Sequence, residues 1–278
     1  MVKHRSSQEL FEAYHEHPDF NNLLLELTER LPNSPYDKFV FQLHNHINQI
    51  IINLEKTKDK YSSFDEDSIT NYICSNLDSM GYTASEQTKQ VGAVDLTVKE
   101  GDYTWIAEAK IDYHNTKILE GLIQLLTRYI TRDKKAGFFV YFKGKNFNKR
   151  VSSFIHYLKD EKLWSEHTNK KPPELAEECK SIFRTIEVIK ENESYLECKF
   201  QCPGVENIAV RCFFVNLSFW PADTSAEKAN YIRTNNAEHE LTEFYFDLLD
   251  SDSEIDKHKL LSILERKFRN IDPDDFRS

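Results

Sequence analysis

The sequence predicts a mixed α/β fold, and three features of the chain support this class. In residues 62–160, helix-like and strand-like segments follow one another in the order α-β-β-α-β-α. One strand-like segment, "AGFFVYF", is a continuous apolar run, which is typical of a buried strand. Both ends of the chain carry apolar residues at three- and four-residue intervals, as amphipathic helices do. We therefore expect a sheet core with helices packed on it, between helical flanks.

The chain divides into three parts by its apolar periodicity and charge composition. Residues 1–57 form a helical N-terminal segment, residues 58–222 form the α/β core with additional strands, and residues 223–278 form an acidic helical C-terminal segment. The N-terminal segment contains an apolar stripe at helical spacing: Phe39, Leu43, Ile47, Ile50 and Leu54. Such a stripe is an ordinary packing face or a dimer seam. The helical flanks are therefore the expected surfaces for a homodimer or an activating partner.

Composition and cysteine usage indicate a cytoplasmic globular protein. The 278 residues are 40% hydrophobic and 29% charged, which is the range of folded domains. No apolar run approaches the roughly 20 residues needed to cross a bilayer, and the N-terminus lacks a secretory apolar core. Five cysteines at scattered spacings indicate reduced thiols rather than a disulfide framework. No membrane partner is expected.

The core is predicted to begin with a helix that ends at Gly81. Ile69, Ile73 and Leu77 recur at four-residue steps, and glycine commonly ends a helix. The start of this helix carries three acids: Asp65, Glu66 and Asp67.

Two alternating segments, "VGAVDLTV" and "YTWIAEAKI", then predict a β-hairpin closed by a type II′ turn at Gly101-Asp102. In this register the numbers of opposed residues sum to 203, so Asp95 faces Glu108, and Lys110 shares their face. Two opposed carboxylates repel each other, and a low dielectric strengthens the repulsion. A proton on one acid, the Lys110 ammonium or a divalent cation would relieve it. An exposed hairpin with ordinary surface charges is the alternative.

The remaining core elements follow from periodicity. "NTKILEGLIQLLTRYI" predicts a helix capped by Asn115 or Thr116, with Gln124 on its polar face. The buried strand "AGFFVYF" and the helix "NFNKRVSSFIHYLKDEKLW" come next. After two prolines, "SIFRTIEVI", "SYLECKFQC" and "IAVRCFFVNLSFW" are further strand candidates.

Charge is distributed unevenly along the chain. The formal net charge of −10 argues against a protein that coats nucleic acid through its overall field. Residues 128–150, however, contain eight basic residues and one acid, a net charge of +7 that leaves −17 for the rest. A solvated surface is the ordinary explanation of such a run. The position of the segment around a core strand raises phosphate binding as the other.

The spacing of the hairpin residues resembles a known signature. Asp95, twelve intervening residues and then Glu108-Ala109-Lys110 at the end of an apolar strand resemble the motif of the PD-(D/E)XK nuclease superfamily. The resemblance covers about residues 62–160. It implies a restriction-endonuclease-like core (α-β-β-α-β), with Glu66 on the first helix and Gln124 as the additional glutamine of many members. Two departures are Val94 in place of proline, and Arg128 where the RecB-like branch has tyrosine, with Tyr129 one position later.

The resemblance implies a metal-dependent phosphodiesterase. Mg²⁺, or Mn²⁺ in its place, would be held by four groups: the Glu66, Asp95 and Glu108 carboxylates and the Ala109 carbonyl. Lys110 would orient the attacking water or stabilise the transition state. Gln124 would contact substrate or Lys110, or cap a backbone group. The residues expected to bind backbone phosphates are Arg128, Lys134, Lys135, Lys143 and Lys145.

The expected function is therefore a nuclease that hydrolyses phosphodiester bonds, with DNA preferred to RNA, in host defence or repair. A catalytically silent member of the same fold, which binds nucleic acid or a protein, is the first alternative. An unrelated α/β interaction protein is the second.

Overall fold

The computed structural model describes residues 34–86, 88–89, 93–130, 134–203, 207–221, 230–250 and 255–269. The helix expected before residue 34 lies outside the described residues. The chain divides into two units between Asn45 and His46, inside its first described helix. The sheet and all helices after α1 belong to the unit that begins at His46.

The described residues form nine α-helices and nine strands. The helices are α1 (Pro35–Lys56), α2 (Lys58–Tyr61), α3 (Glu66–Ser79), α4 (Asn115–Gln124), α5 (Phe147–Lys159), α6 (Glu161–Thr168), α7 (Pro173–Phe183), α8 (Asn230–Asp250) and α9 (Lys257–Phe268). The strands are β1 (Thr83–Ser85), β2 (Thr88–Lys89), β3 (Ala93–Val94), β4 (Leu96–Glu100), β5 (Tyr103–Ile111), β6 (Lys135–Phe142), β7 (Glu187–Glu191), β8 (Tyr195–Phe200) and β9 (Ile208–Asn216). A π-helical turn, Leu125–Tyr129, continues α4.

Seven strands form one mixed sheet in the order β1-β4-β5-β6-β9-β8-β7. The central strands β5, β6 and β9 are parallel, and the outer strands pair antiparallel on both sides. Strands β2 and β3 form a separate pair. The prediction of a mixed α/β fold with helices on a sheet is confirmed. In the described ranges, no helix is long and apolar enough to cross a membrane.

Helices cover both faces of the sheet. Alternate β6 residues, including Phe138 and Val140, belong to the main hydrophobic core together with apolar residues of α4, α5, α6 and α7. On the opposite face, the Thr70 hydroxyl of α3 lies 3.0 Å from the Tyr141 hydroxyl of β6. Because successive residues of a strand point to opposite faces, β6 is buried along its length. This explains its continuous apolar sequence.

Several predicted elements are wrong in detail. His114 caps α4 in place of Asn115 or Thr116, and the single helix predicted over residues 146–164 is divided at Asp160 into α5 and α6. The segment "VGAVDLTV" is not one strand, because the chain bends at Asp95. Strand β3 before the bend pairs with β2, whereas β4 after it pairs with β1 and β5. The segment "SIFRTIEVI" begins as the last turn of α7, whose buried residues Ala176, Cys179 and Ile182 recur at helical spacing. All five cysteines are free and buried, as the scattered spacing predicts.

Candidate active site

The Lys110 ammonium lies at the centre of a cluster of acids at the end of β5. Its Nζ donates hydrogen bonds to Glu108 Oε1 at 2.8 Å, to Glu66 Oε1 at 3.0 Å and to the Ala109 carbonyl at 2.6 Å. Asp95 Oδ2 is 3.8 Å from the same nitrogen. The structure thus brings together all four groups predicted as metal ligands and the predicted catalytic lysine.

The hairpin turn sets the register that joins Asp95 to this cluster. Gly101 has a φ of 57° and Asp102 does not have a positive φ, which agrees with a type II′ turn. Opposed residues pair with a sum of 203, for example Glu100 with Tyr103. Asp95 follows the last ladder pair at the bend, where its Oδ2 accepts a hydrogen bond from the Ala109 N–H at 2.9 Å. The predicted register is therefore confirmed from Leu96–Ala107 to Glu100–Tyr103, whereas the predicted pairing of Asp95 with Glu108 is not part of the ladder.

Helix capping explains why Glu66, and not the acid before it, reaches the cluster. Asp65 is the N-cap of α3, and its carboxylate accepts a hydrogen bond from the Ser68 N–H at 2.8 Å. Glu66, in the first turn, points across to β5, where its Oε2 accepts a hydrogen bond from the Ile111 N–H at 2.8 Å. This bond fixes the start of α3 against the end of β5.

Burial decides the charge state of the cluster. Glu108 has no exposed surface, and its Oε2 has no hydrogen-bond partner among the described residues. Burial, with the charge of Asp95 second, raises the pKa of Glu108 to about 8, although Lys110 opposes the shift. Burial lowers the pKa of Lys110, but Glu108 and Glu66 outweigh it and hold this pKa above its usual value. A proton on Glu108 and the Lys110 charge therefore both relieve the repulsion in the metal-free protein.

The aliphatic stem of Lys110 packs on a glycine of α4. A Cβ at Gly121 would lie 2.4 Å from Lys110 Cγ and 3.0 Å from its Cε. Gly121 thus provides the space in which the lysine crosses from the sheet towards the acids.

Gly121→Ala is expected to destabilise the protein by about 1–3 kcal/mol, because the methyl group and the Lys110 stem compete for one volume. The better helix propensity of alanine, about 1 kcal/mol, offsets only part of this cost. Urea unfolding of the parent, both single variants and Gly121→Ala/Lys110→Ala measures the coupling. If Gly121→Ala costs as much without the lysine stem as with it, the clash lies elsewhere.

The structure places Gln124 against Tyr129 rather than Lys110. Its Nε2 donates a hydrogen bond to the Tyr129 hydroxyl at 2.7 Å. The two residues are five positions apart, and the π-helical turn between them brings residues at this spacing to the same side. Tyr129 thereby reaches Gln124, whereas in a continuous α-helix the residue on the same side as Gln124 would be Arg128, four positions later.

The five predicted phosphate-binding residues lie at two ends of β6. Lys134 and Lys135 are at its start, and Arg128 is exposed in the preceding π-helical turn. Lys143 and Lys145 follow its end, the end towards which β5 carries Lys110, since Lys110 pairs with Val140. The basic segment is therefore not one continuous surface.

At that end Lys143 reaches the start of α3. Its ammonium donates a hydrogen bond to the Phe64 carbonyl. Burial lowers the pKa of Lys143 to about 8, while Asp65 and Glu66 act in the opposite direction. Among the predicted phosphate ligands, Lys143 is therefore the one whose charge interacts with Glu66 of the cluster.

Sequence analysis missed a buried ion pair beside the cluster. Asp112, directly after β5, is 1% exposed and accepts hydrogen bonds from Arg150 Nε at 2.8 Å and Nη2 at 2.5 Å. Arg150 also donates to the Tyr113 carbonyl at 3.3 Å. Arg150 belongs to the basic segment by sequence, but the pair assigns it to holding the end of β5. The only signal in the sequence was an acid directly after an apolar strand.

The donor set of the cluster fits a hard divalent cation. Three carboxylates and a backbone carbonyl are the oxygen ligands that Mg²⁺ prefers, and the unpartnered Glu108 Oε2 is one ligand already buried without a donor. As the side chains stand, no group of three His, Cys, Asp or Glu residues in the described ranges is arranged to hold a metal ion. Lys110 Nζ contacts the oxygens concerned, so a cation can take them only when the ammonium gives them up.

Comparison with known proteins adds no family assignment. The chain matches no protein-family model, no curated protein and no solved structure. Function is therefore inferred from the cluster and from the elements that hold it.

Proposed function

We propose that the protein is a metal-dependent nuclease that hydrolyses phosphodiester bonds, with DNA as its substrate. The observation that carries this proposal is the convergence of Glu66, Asp95, Glu108 and Lys110 on one point. These four residues come from three separate segments of the chain, and three carboxylates held around one half-buried amine repel one another, which ordinary packing does not favour. A role in host defence or repair is part of the proposal.

The order of elements around the cluster supports a restriction-endonuclease-like core. Helix α3, strands β1, β4 and β5, helix α4 and strand β6 follow one another along the chain, and these four strands are neighbours in the sheet. The hydrogen bond between Gln124 and Tyr129 adds support, because it accounts for the tyrosine that stands one position late in the sequence. In this proposal the π-helical turn absorbs the additional residue.

The proposed chemistry divides among the residues of the cluster. The Asp95 and Glu108 carboxylates, the Ala109 carbonyl and Glu66 would hold Mg²⁺ or Mn²⁺, which would polarise the phosphate and lower the pKa of a bound water. Lys110, released from these oxygens, would stabilise the charge that develops on the phosphate oxygens or orient the water. Lys143 and Lys145 would hold neighbouring phosphates without reading sequence.

One observation favours a second candidate function. The Lys110 ammonium already neutralises part of the acid cluster through three hydrogen bonds. A protein in which this arrangement is permanent would be a silent member of the fold that binds nucleic acid or a partner without cutting it.

Plasmid DNA incubated with the purified protein separates these functions. With Mg²⁺ or Mn²⁺ we expect nicked and linear products, and with EDTA we expect none. A parallel reaction with single-stranded RNA tests the preference for DNA. An intact plasmid under every metal condition, together with measurable DNA binding, would favour the silent member.

A further inference from the structure

One face of helix α8 lies across the residues that follow β5 and β6. The His239 ring lies 5.0 Å from the Tyr113 ring, and the Phe246 ring lies 6.2 Å from it. A Cβ at Gly144 would lie 2.7 Å from Glu243 Oε1. His239, Glu243 and Phe246 recur at four- and three-residue steps, so they form one stripe of the helix. This stripe covers the sheet at the carboxyl ends of β5 and β6, and these strand ends form the sheet edge beside the cluster.

The covering helix is acidic and the edge beneath it is basic. Helix α8 contains five acids and a single base, Arg233. Glu240 Oε1 lies 3.6 Å from Lys145 Nζ, and Asp247 Oδ1 lies 3.9 Å from His114 Nε2. Lys145 is one of the two proposed phosphate ligands at this end of β6. Carboxylates of α8 therefore stand where a nucleic acid would place phosphates.

Helices α8 and α9 share a hydrophobic cluster of their own. Its buried members are Ala237, Phe244 and Ile263, with Leu241, Leu248 and Leu260 packed against them. Arg266 of α9 donates a hydrogen bond to Glu240 of α8, which ties the two helices together. None of these residues belongs to the main core between the sheet and α4 to α7. The helix pair therefore keeps its own packing when its contacts to the sheet edge change.

The contacts between α8 and the sheet edge are of a kind that an anion can replace. The Lys145–Glu240 ion pair, at 3.6 Å and with the Lys145 side chain 57% exposed, contributes little, typically under about 1 kcal/mol. The His114–Asp247 contact, at 3.9 Å, adds a charge interaction only when the imidazole is protonated. A nucleic acid whose phosphates meet Lys145 gains from the release of its condensed counterions. The exchange of carboxylates for phosphates is thus favoured at low salt.

We propose that α8 is an acidic cover over the ends of β5 and β6, and that a nucleic acid must compete with its carboxylates for the cations there, Lys145 among them, to bind beside the acid cluster. The cover deepens the proposed nuclease function, on which it rests, by making the protein bind nucleic acid less tightly than its exposed cations alone would allow.

A matched pair of variants tests the cover. Glu243→Gln/Asp247→Asn removes two charges from α8 and leaves Glu240 to hold Arg266. Glu187→Gln/Glu193→Gln removes two exposed acids on and beside the far edge strand β7, and so changes the net charge equally. Binding of a labelled 20-base-pair DNA is measured in EDTA by fluorescence anisotropy. We expect the α8 variant to bind roughly tenfold more tightly than the control variant at low salt.

An uncharged variant removes the ambiguity of net charge. Gly144→Val places a side chain where Glu243 and His239 now lie, so it should lift α8 and tighten DNA binding without changing any charge. Hydrogen exchange of the parent gives a readout without substitution. Amides of α8 should exchange faster when DNA is added, because the helix leaves the sheet edge.

The outcomes separate the cover from the nuclease function. Equal DNA affinities of the two charge variants, or slower amide exchange in α8 when DNA is added, would overturn the cover. The nuclease function would still stand in that case if the parent protein cleaves plasmid DNA. If no variant binds or cleaves DNA, both proposals fall. Tighter binding by the α8 variant and Gly144→Val together would support the cover.

Discussion

Glu108→Gln is expected to lower Mg²⁺-dependent plasmid cleavage by at least about a thousandfold, the scale of removing a charge that acts directly on the reacting phosphate. Glu108 is fully buried at the centre of the cluster, and glutamine keeps its size while losing its negative charge. The variant should remain folded, because the substitution removes a repelling carboxylate rather than a core side chain. Cleavage of supercoiled plasmid over a time course measures the loss.

Glu100→Gln is the matched control, since Glu100 is an exposed acid at the turn end of the same hairpin. It should cleave like the parent. Undiminished cleavage by purified Glu108→Gln would show that the cluster does not act on phosphodiester bonds.

Lys110→Met extends the same test in two directions. Cleavage should fall as it does for Glu108→Gln, because the positive charge at the reacting phosphate is lost. Calorimetric affinity for Mg²⁺ should rise, because the ammonium no longer contacts Glu66, Glu108 and the Ala109 carbonyl. If the protein is a catalytically silent member of the fold, Lys110→Met would still bind Mg²⁺ more tightly. The parent protein would then show no plasmid cleavage, which distinguishes this case from the nuclease.

The hairpin could be predicted because its register is set locally. A glycine at the first position of a two-residue turn fixes which residues pair, and the ladder then ends at Leu96 and Ala107, the neighbours of Asp95 and Glu108. The bend at Asp95 was missed, since it arises from the pairing of β3 with β2, a contact outside the hairpin. Local rules therefore predicted the geometry of the site but not the end of its strand.

Longer-range contacts account for the parts that the sequence did not reveal. Glu66 was named as a ligand from the sequence, but the reason that Asp65 does not take its place, the capping bond to Ser68, is seen only in the structure. The π-helical turn has no simple sequence pattern, so the late position of Tyr129 looked like a departure. The acidic C-terminal segment was recognised as helical, but its place over the sheet edge depends on contacts such as that between Tyr113 and His239. Periodicity reports which face is apolar and not what covers it.

The metal-free protein is expected to lose stability as the pH rises from about 4.5 to about 8. In the folded protein the pKa of Glu108 is raised from 4.5 to about 8 by burial and by Asp95. Between these values the folded state keeps a proton that the unfolded chain releases, so each rise in pH favours unfolding. At about 1.4 kcal/mol per pKa unit, the loss reaches up to about 5 kcal/mol. Lys110 is charged in both states throughout this window, so its raised pKa contributes no slope there.

Urea unfolding in EDTA at pH 5 and pH 8 measures this effect in the parent, Glu108→Gln and Glu100→Gln. The parent and Glu100→Gln should be markedly less stable at pH 8, whereas Glu108→Gln should be nearly level, apart from a smaller fall of the same sign from Glu66, whose pKa is also raised by burial. If the free energy of unfolding depends on pH in the same way in all three proteins, Glu108 is not the acid whose pKa is raised by folding. Mg²⁺ at a hundredfold excess over its dissociation constant should return about 2.7 kcal/mol to the parent at pH 8, because the cation replaces the lost proton. Glu108→Gln has lost that ligand, so its free energy of unfolding should gain much less from Mg²⁺. A proton and a cation are therefore alternative ways to neutralise the buried Glu108 carboxylate.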